Sequence, residues 1–226
     1  SQRLATIGEV AAMVGHDLRN PLAAIAGATY LLRKQAADKI DDNSRESLQI
    51  IEKSIEHSEK IISDLLHYSA EIKLQTSTTD PKSVTGAALS LARIPENVRI
   101  VNDTQAELKM VMDADKIQRA FLNIIRNAVE AMPQGGTLTI SSRRTDGMVE
   151  FRFEDTGAGM SREILEKLWT PLFTTKAKGM GFGLAITRRI VEVHGGTVAA
   201  DGAPGRGSTF TVKLPIEPQT QEVSGT

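Results

Sequence analysis

Two runs of apolar residues, spaced in alternating steps of three and four, occupy the first third of this 226-residue chain and constrain it to long helices. In the first, Leu4, Ile7, Ala11, Val14 and Leu18 form a seam that resumes after one extra step at Leu22 and Ile25 and reaches Leu32. The slip falls at Pro21, which removes the backbone bond to the carbonyl of Asp17 and permits a bend there. After a polar break at 37–44 a second seam runs through Leu48, Ile51, Ile55, Ser58, Ile62, Leu65, Ser69 and Ile72. The outer faces carry Glu, Lys, Gln and Ser, so neither helix would be stable alone. A hairpin with such wide apolar faces reads as half of a four-helix bundle, completed by a second copy in a homodimer.

Beyond this hairpin, 1–75, the period changes. The polar stretch LQTSTTD at 74–80 reads as a linker, assigned to 76–80, and a mixed domain follows over 81–216 with a frayed polar tail at 217–226. Asp80-Pro81 is a helix start, with a short helix to about Arg93. Strands are expected at 98–103, 108–112, 137–143, 149–154, 197–200 and 208–214, and helices at 114–132, 161–168 and 183–193. Thr145-Asp146-Gly147 is a hairpin turn signal. The fold class is α+β multidomain: a helical hairpin, then an α/β sandwich with one helical layer on a largely antiparallel sheet.

Composition narrows the chemistry. With 24% charged residues and a net charge of −1, spread evenly over both halves, the chain lacks the basic footprint of a nucleic-acid or membrane-surface binder. Zero cysteines exclude thiol catalysis and thiolate metal sites. The apolar stretches fall short of the roughly 18 residues that span a bilayer, so the expectation is a cytoplasmic fragment without membrane contact. A start at Ser rather than Met suggests an excised piece, whose full-length parent could be anchored through an absent N-terminal part.

Five constellations carry candidate chemistry. His16-Asp17-Leu18-Arg19-Asn20-Pro21 places His16 about 200° around the helix from Val14, away from the seam. Asp17 can accept from one ring nitrogen and leave the other as nucleophile, while Asn20, at i+4, can orient a water or a phosphoryl oxygen. Asn123 and Asn127 project from one face of their helix, opposite Phe121, Ile125 and Ala128, and amide oxygens suit a hard cation such as Mg²⁺ that keeps waters and phosphate ligands. Asp155-Thr156-Gly157-Ala158-Gly159 follows a strand, where a carboxylate can accept an exocyclic amine. Gly179, Gly181 and Gly183, followed by Leu184, lead into a helix whose unpaired N–H groups face phosphates. In Gly205-Arg206-Gly207-Ser208-Thr209-Phe210 a turn opens the last strand, and Thr209 can bond near an adenine. Read singly, each also has a plain structural reading: a kink, a polar helix face or an ordinary turn.

Their order resembles the transmitter core of the sensor histidine kinases. The motifs His-Asp-x-x-Asn-Pro, NxxxN, DxGxG, a Phe-containing segment, GxGxG and GxGSTF succeed one another over nearly the whole chain. The resemblance implies a dimerisation and histidine-phosphotransfer hairpin followed by an ATP-binding domain of the Bergerat fold, shared with gyrase and MutL. It implies His16 as phosphoacceptor, Asp17 as its acid/base partner, and Asn20 as the residue that dephosphorylates the partner. Asn127 would hold Mg²⁺ with Asn123 beside it, and Asp155 would bind adenine. Gly157, Gly159, Gly179, Gly181 and Gly183 would line the nucleotide site, and Phe173 in WTPLFTTK (169–176) would be the named aromatic. Only five residues separate Phe173 from Gly179, so the lid over the nucleotide is short.

The implied reaction moves a phosphoryl group from ATP to a ring nitrogen of His16, then to an aspartate of a response-regulator receiver domain, with the ATP-binding domain moving on its linker. Ala24, Ile25 and Ala28 would be either a docking face for that receiver or bundle core. A gyrase- or MutL-like ATPase would carry a Glu at the position of Asn123, and a nucleotide-sensing dimeric scaffold would lack His16, Asn127 or Asp155. His57, His67 and His194 read as inert.

Overall fold

The computed structural model describes residues 2–35, 41–175 and 181–217, excluding the side chains of 2–17, 35, 60, 64 and 67. The chain divides into two units, 1–71 with 174–182, and 72–173 with 183–226. In the first, α1 (Gln2–Gln35) and α2 (Asp42–Ser69) pack side by side. Pro21 does not interrupt α1. Asp41 caps α2 by accepting the N–H of Ser44 at 2.7 Å, and Arg33 of α1 pairs with Glu52 of α2 at 3.1 Å. Ile55 and Ile62 of the second seam are buried, and so is Thr29 of α1, whose hydroxyl bonds the Ile25 carbonyl. Leu18, Ile25 and Leu32, a heptad apart, are about half exposed.

The second unit begins with β1 (Ser77–Thr79), α3 (Pro81–Leu91), β2 (Val98–Asp103), β3 (Met110–Met112) and α4 (Ala114–Glu130). It continues with β4 (Gly136–Thr145), β5 (Met148–Asp155), α5 (Arg162–Lys167), α6 (Gly183–Val193), β6 (Thr197–Gly202) and β7 (Ser208–Pro215). The segment expected to be a linker is therefore partly strand. Ser77–Thr79 pair antiparallel with Met110–Met112, because backbone donors leaving the hairpin need partners and β3 offers them. The main sheet has the order β2-β4-β5-β7-β6, with only the β2–β4 pair parallel.

Local chemistry sets the element ends. Asp80, Asp113 and Ser161 cap α3, α4 and α5 through side-chain oxygens on backbone N–H groups. The β4–β5 hairpin closes on Asp146 and Gly147, both at positive φ as a two-residue primed turn demands. Alternation then divides the sheet. Leu138, Ile140, Val149, Phe151, Phe153, Phe210, Val212 and Leu214 are buried on the helical side. Phe121 of α4 lies 4.8 Å from Phe151 and 5.0 Å from Phe153, centroid to centroid, at the middle of this core. Among the described residues no helix is long and apolar enough to cross a membrane.

Candidate functional site

The site-bearing residues of the second unit converge where the end of β5, the start of β7, the C-terminal half of α4 and the start of α6 meet. Asp155 ends β5 as a buried carboxylate. Its Oδ1 accepts the N–H of Gly157 at 2.9 Å and that of Ser208 at 3.2 Å. Burial pushes its pKa up, while the Gly157 and Ser208 N–H groups and the Ser208 side chain pull the other way. A buried acceptor of this kind is suited to an amino group rather than to a cation in water.

The loop after Asp155 is fastened to both neighbours. Thr156 donates its N–H to the Thr137 carbonyl at 3.1 Å, and its hydroxyl accepts the Thr137 N–H at 3.0 Å. Ala158 donates to the carbonyl of Ala131, the residue that closes α4 by bonding back to Asn127. Gly159, at φ 69°, lies so close to the Ala203 and Gly207 carbonyls that a side chain would collide with them. Asp155, Gly157, Gly159 and the end of α4 are thus one connected structure.

On α4, Ile117, Phe121, Ile124, Ile125 and Ala128 are buried, and Asn123 and Asn127 stand half-buried at the helix flank. Asn123 Nδ2 donates to the Thr187 hydroxyl of α6 at 3.1 Å, and that hydroxyl donates to the Gly183 carbonyl at 3.0 Å. Gly183 sits directly against the Asn123 side chain, where a Cβ would meet the amide. The glycine at the start of α6 therefore lets α4 and α6 approach at the site. Gly181 is at φ 69°, Leu184 is half-buried, and Gly179 lies outside the described residues, as does most of the segment expected to form a lid.

Thr209 is not placed as expected. It pairs with Glu154 and Asp201 and faces the side of the sheet away from the helices, whereas Ser208 pairs with Asp155 and shares its side. Strand alternation is the physical reason: adjacent residues point to opposite faces, so only one of the two can serve the carboxylate. Phe173 is half-buried in a turn closed by its N–H on the Thr170 carbonyl, after Leu172 at φ 66°. Trp169 meets Phe210 edge to face, with centroids 6.2 Å apart.

His194 is another residue the linear pattern undervalued. It is buried, with Nδ1 2.7 Å from the Ile190 carbonyl, and its Nε2 accepts the N–H of Asp113 at 3.1 Å. A His before a Gly-Gly turn carried no sign of this in sequence, because its partner is 81 positions away. His16, Asp17 and Asn20 belong to α1 in the other unit. Asn20 is exposed, and the side chains of His16 and Asp17 lie outside the described residues.

Comparison with known families agrees with both halves. Residues 6–71 match the His Kinase A (phospho-acceptor) domain, and residues 112–218 match the histidine kinase-, DNA gyrase B-, and HSP90-like ATPase. The chain is 35% identical over 224 residues to the signal transduction histidine-protein kinase AtoS of Escherichia coli (strain K12), covering 97% of this chain and 36% of that one. It is 31% identical to sporulation kinase C of Bacillus subtilis (strain 168), covering 96% of this chain and 51% of the relative. It spans about a third to a half of the length of these relatives. Full-length ShkA in complex with AMPPNP shares the fold with a TM-score of 0.78 over 93% of this chain and 46% of its own, at 24% identity. Histidine kinase ThkA, in complex with response regulator protein TrrA, gives 0.69 over 97% of this chain and 65% of its own, at 26% identity. With a phospho-acceptor hairpin and an ATPase sandwich joined in this order, the chain belongs to the sensor histidine kinases as their transmitter core.

Proposed function

We propose that the chain binds ATP in the second unit and transfers its γ-phosphoryl group to a ring nitrogen of His16, from which it passes to an aspartate of a response-regulator receiver domain. The observation that carries this reading is the connected set of Asp155, Gly157, Asn123, Asn127 and Gly183 in a chain that also bears His16 in a His-Asp-x-x-Asn-Pro helix. Asp155 is the acceptor for the adenine amine. The N–H groups at the start of α6 and the glycine loops meet the phosphates. In the transfer, the bond from the γ-phosphorus to the β,γ-bridging oxygen breaks as the phosphorus–nitrogen bond forms, and ADP leaves. Asp17 accepts from the other ring nitrogen, keeping the lone pair of the attacking one available and taking up the ring proton as charge develops.

Among the described residues no three His, Asp or Glu side chains group to cage a cation. The donor chemistry at Asn127 instead suits Mg²⁺, which its amide oxygen would hold beside the phosphates. When bound there, the ion neutralises phosphate charge. A water-activating ATPase is disfavoured, since Asn123 is an amide that cannot take a proton and is engaged with Thr187.

The half-exposed Leu18, Ile25 and Leu32 support a homodimer through the hairpin. Asn20 orients a water for dephosphorylation of the regulator, and the chain acts in the cytoplasm. The test is incubation of the chain with Mg²⁺ and γ-labelled ATP. An acid-labile, base-stable label that His16→Ala abolishes is expected. Acid-stable label, or label that persists in that variant, would sink the assignment.

A further inference from the structure

Asp113 does more than cap a helix. Its Oδ1 accepts the Lys116 N–H at 3.2 Å and so satisfies the start of α4. The other oxygen, Oδ2, accepts the N–H of Gln75 at 2.8 Å and the Lys116 ammonium at 2.6 Å. The Asp113 N–H donates to His194 Nε2, and His194 is held in turn by the Ile190 carbonyl. Asp113 and His194 are 3% and 8% exposed, so the bond between them forms out of water, where it is worth most and is most costly to lose.

The geometry joins three segments. Gln75 lies two residues before β1, which pairs with β3, and β3 runs into Asp113. Gln75 is thus tied to the unit by the carboxylate just ahead of a strand tied by its ladder. Asp113 opens the helix that carries Asn123 and Asn127, and His194 follows the end of the helix that begins at Gly183. The two helices are pinned at one end by Asp113 and His194. About 15 Å along α4 they are pinned again by Asn123 and Thr187.

We propose that Asp113, held by His194, clamps the chain leaving the hairpin to the start of α4, so that the position of that chain is transmitted along the α4–α6 pair to Asn123 and Asn127. A cap alone would be served by Ser, Thr or Asn at position 113. The buried carboxylate with a histidine behind its amide holds the Gln75 N–H as well. Asp113, His194 and Gln75 are positioning residues, and their effect on transfer rests on the phosphotransfer reading above.

Gln75→Pro tests this in the whole chain, because proline removes the one donor and leaves the nucleotide-binding residues in place. Amide exchange in 77–79 should accelerate, ATP affinity should hold, and the rate of His16 labelling should fall by about tenfold, as expected for a small misplacement of reacting groups. His194→Leu, which lacks an acceptor for the Asp113 N–H, should reproduce both effects. His194→Gln, whose side-chain oxygen can take the place of Nε2, should restore them. Unchanged exchange in 77–79 of Gln75→Pro overturns the clamp, and so does an equal loss in the Gln and Leu variants of His194. Accelerated exchange with an unchanged labelling rate overturns the transmission. If the unsubstituted chain acquires no label on His16, the functional reading fails, while the exchange measurement still decides the clamp.

Discussion

Asp155 and Ser208, 53 positions apart, meet where β5 and β7 pair, with the Ser208 N–H 3.2 Å from the Asp155 carboxylate. The pairing puts the Ser208 hydroxyl on the carboxylate's side of the sheet and the Thr209 hydroxyl on the other. Ser208→Ala should therefore weaken ATP binding by up to about tenfold, the worth of one buried hydrogen bond. Thr209→Ala should leave it unchanged. Titration calorimetry on the two variants checks this, and the reverse order of effects would return Thr209 to the site.

Gly183→Ala separates stability from function. Its φ is not in the left-handed region, and alanine favours a helix over glycine by about 1 kcal/mol, so the fold should tolerate the change. The new Cβ meets the Asn123 amide and must displace it. Thermal unfolding should be little changed while ATP affinity falls by about an order of magnitude. An unaffected affinity would show that Asn123 has no part in the site.

The Phe121 ring fills the space between Phe151 and Phe153 with no exposure. Phe121→Ala should cost about 3–5 kcal/mol in unfolding of the second unit, read from urea denaturation. A loss below about 1 kcal/mol would mean that the core closes over the gap.

His194 makes a pH dependence with a definite sign. Burial holds its pKa below the ordinary histidine value; the Ile190 carbonyl and the Asp113 carboxylate push it up, and the Lys116 ammonium pushes it down. As pH falls, the unfolded chain takes up this proton before the folded one. The neutral-histidine contribution is therefore complete above the unfolded pKa and is lost as pH falls through the folded one. The stability difference between the unsubstituted chain and His194→Gln should shrink between about pH 7.5 and 5.5. A difference independent of pH would remove His194 as its source.

Much of the fold was legible because its signals are local. The seams of α1 and α2, the Asp80-Pro81 start, the Asp146-Gly147 turn and the α6 start at Gly183 each follow from a few neighbouring residues. The order of the candidate motifs was equally plain. What escaped were features whose partner lies far along the chain: β1 inside an apparent linker, Ser208 rather than Thr209 beside Asp155, and His194 behind Asp113.

Sequence alone determined that this chain would make two helices and then a mixed domain, since periodicity, caps and turns act within a few residues of themselves. It also determined which residue types were available for phosphate, adenine and phosphoryl chemistry. Only the tertiary structure decided which of them face one another. The order β2-β4-β5-β7-β6 sets a register between distant strands, and register gives each side chain its face and each buried polar group its partner.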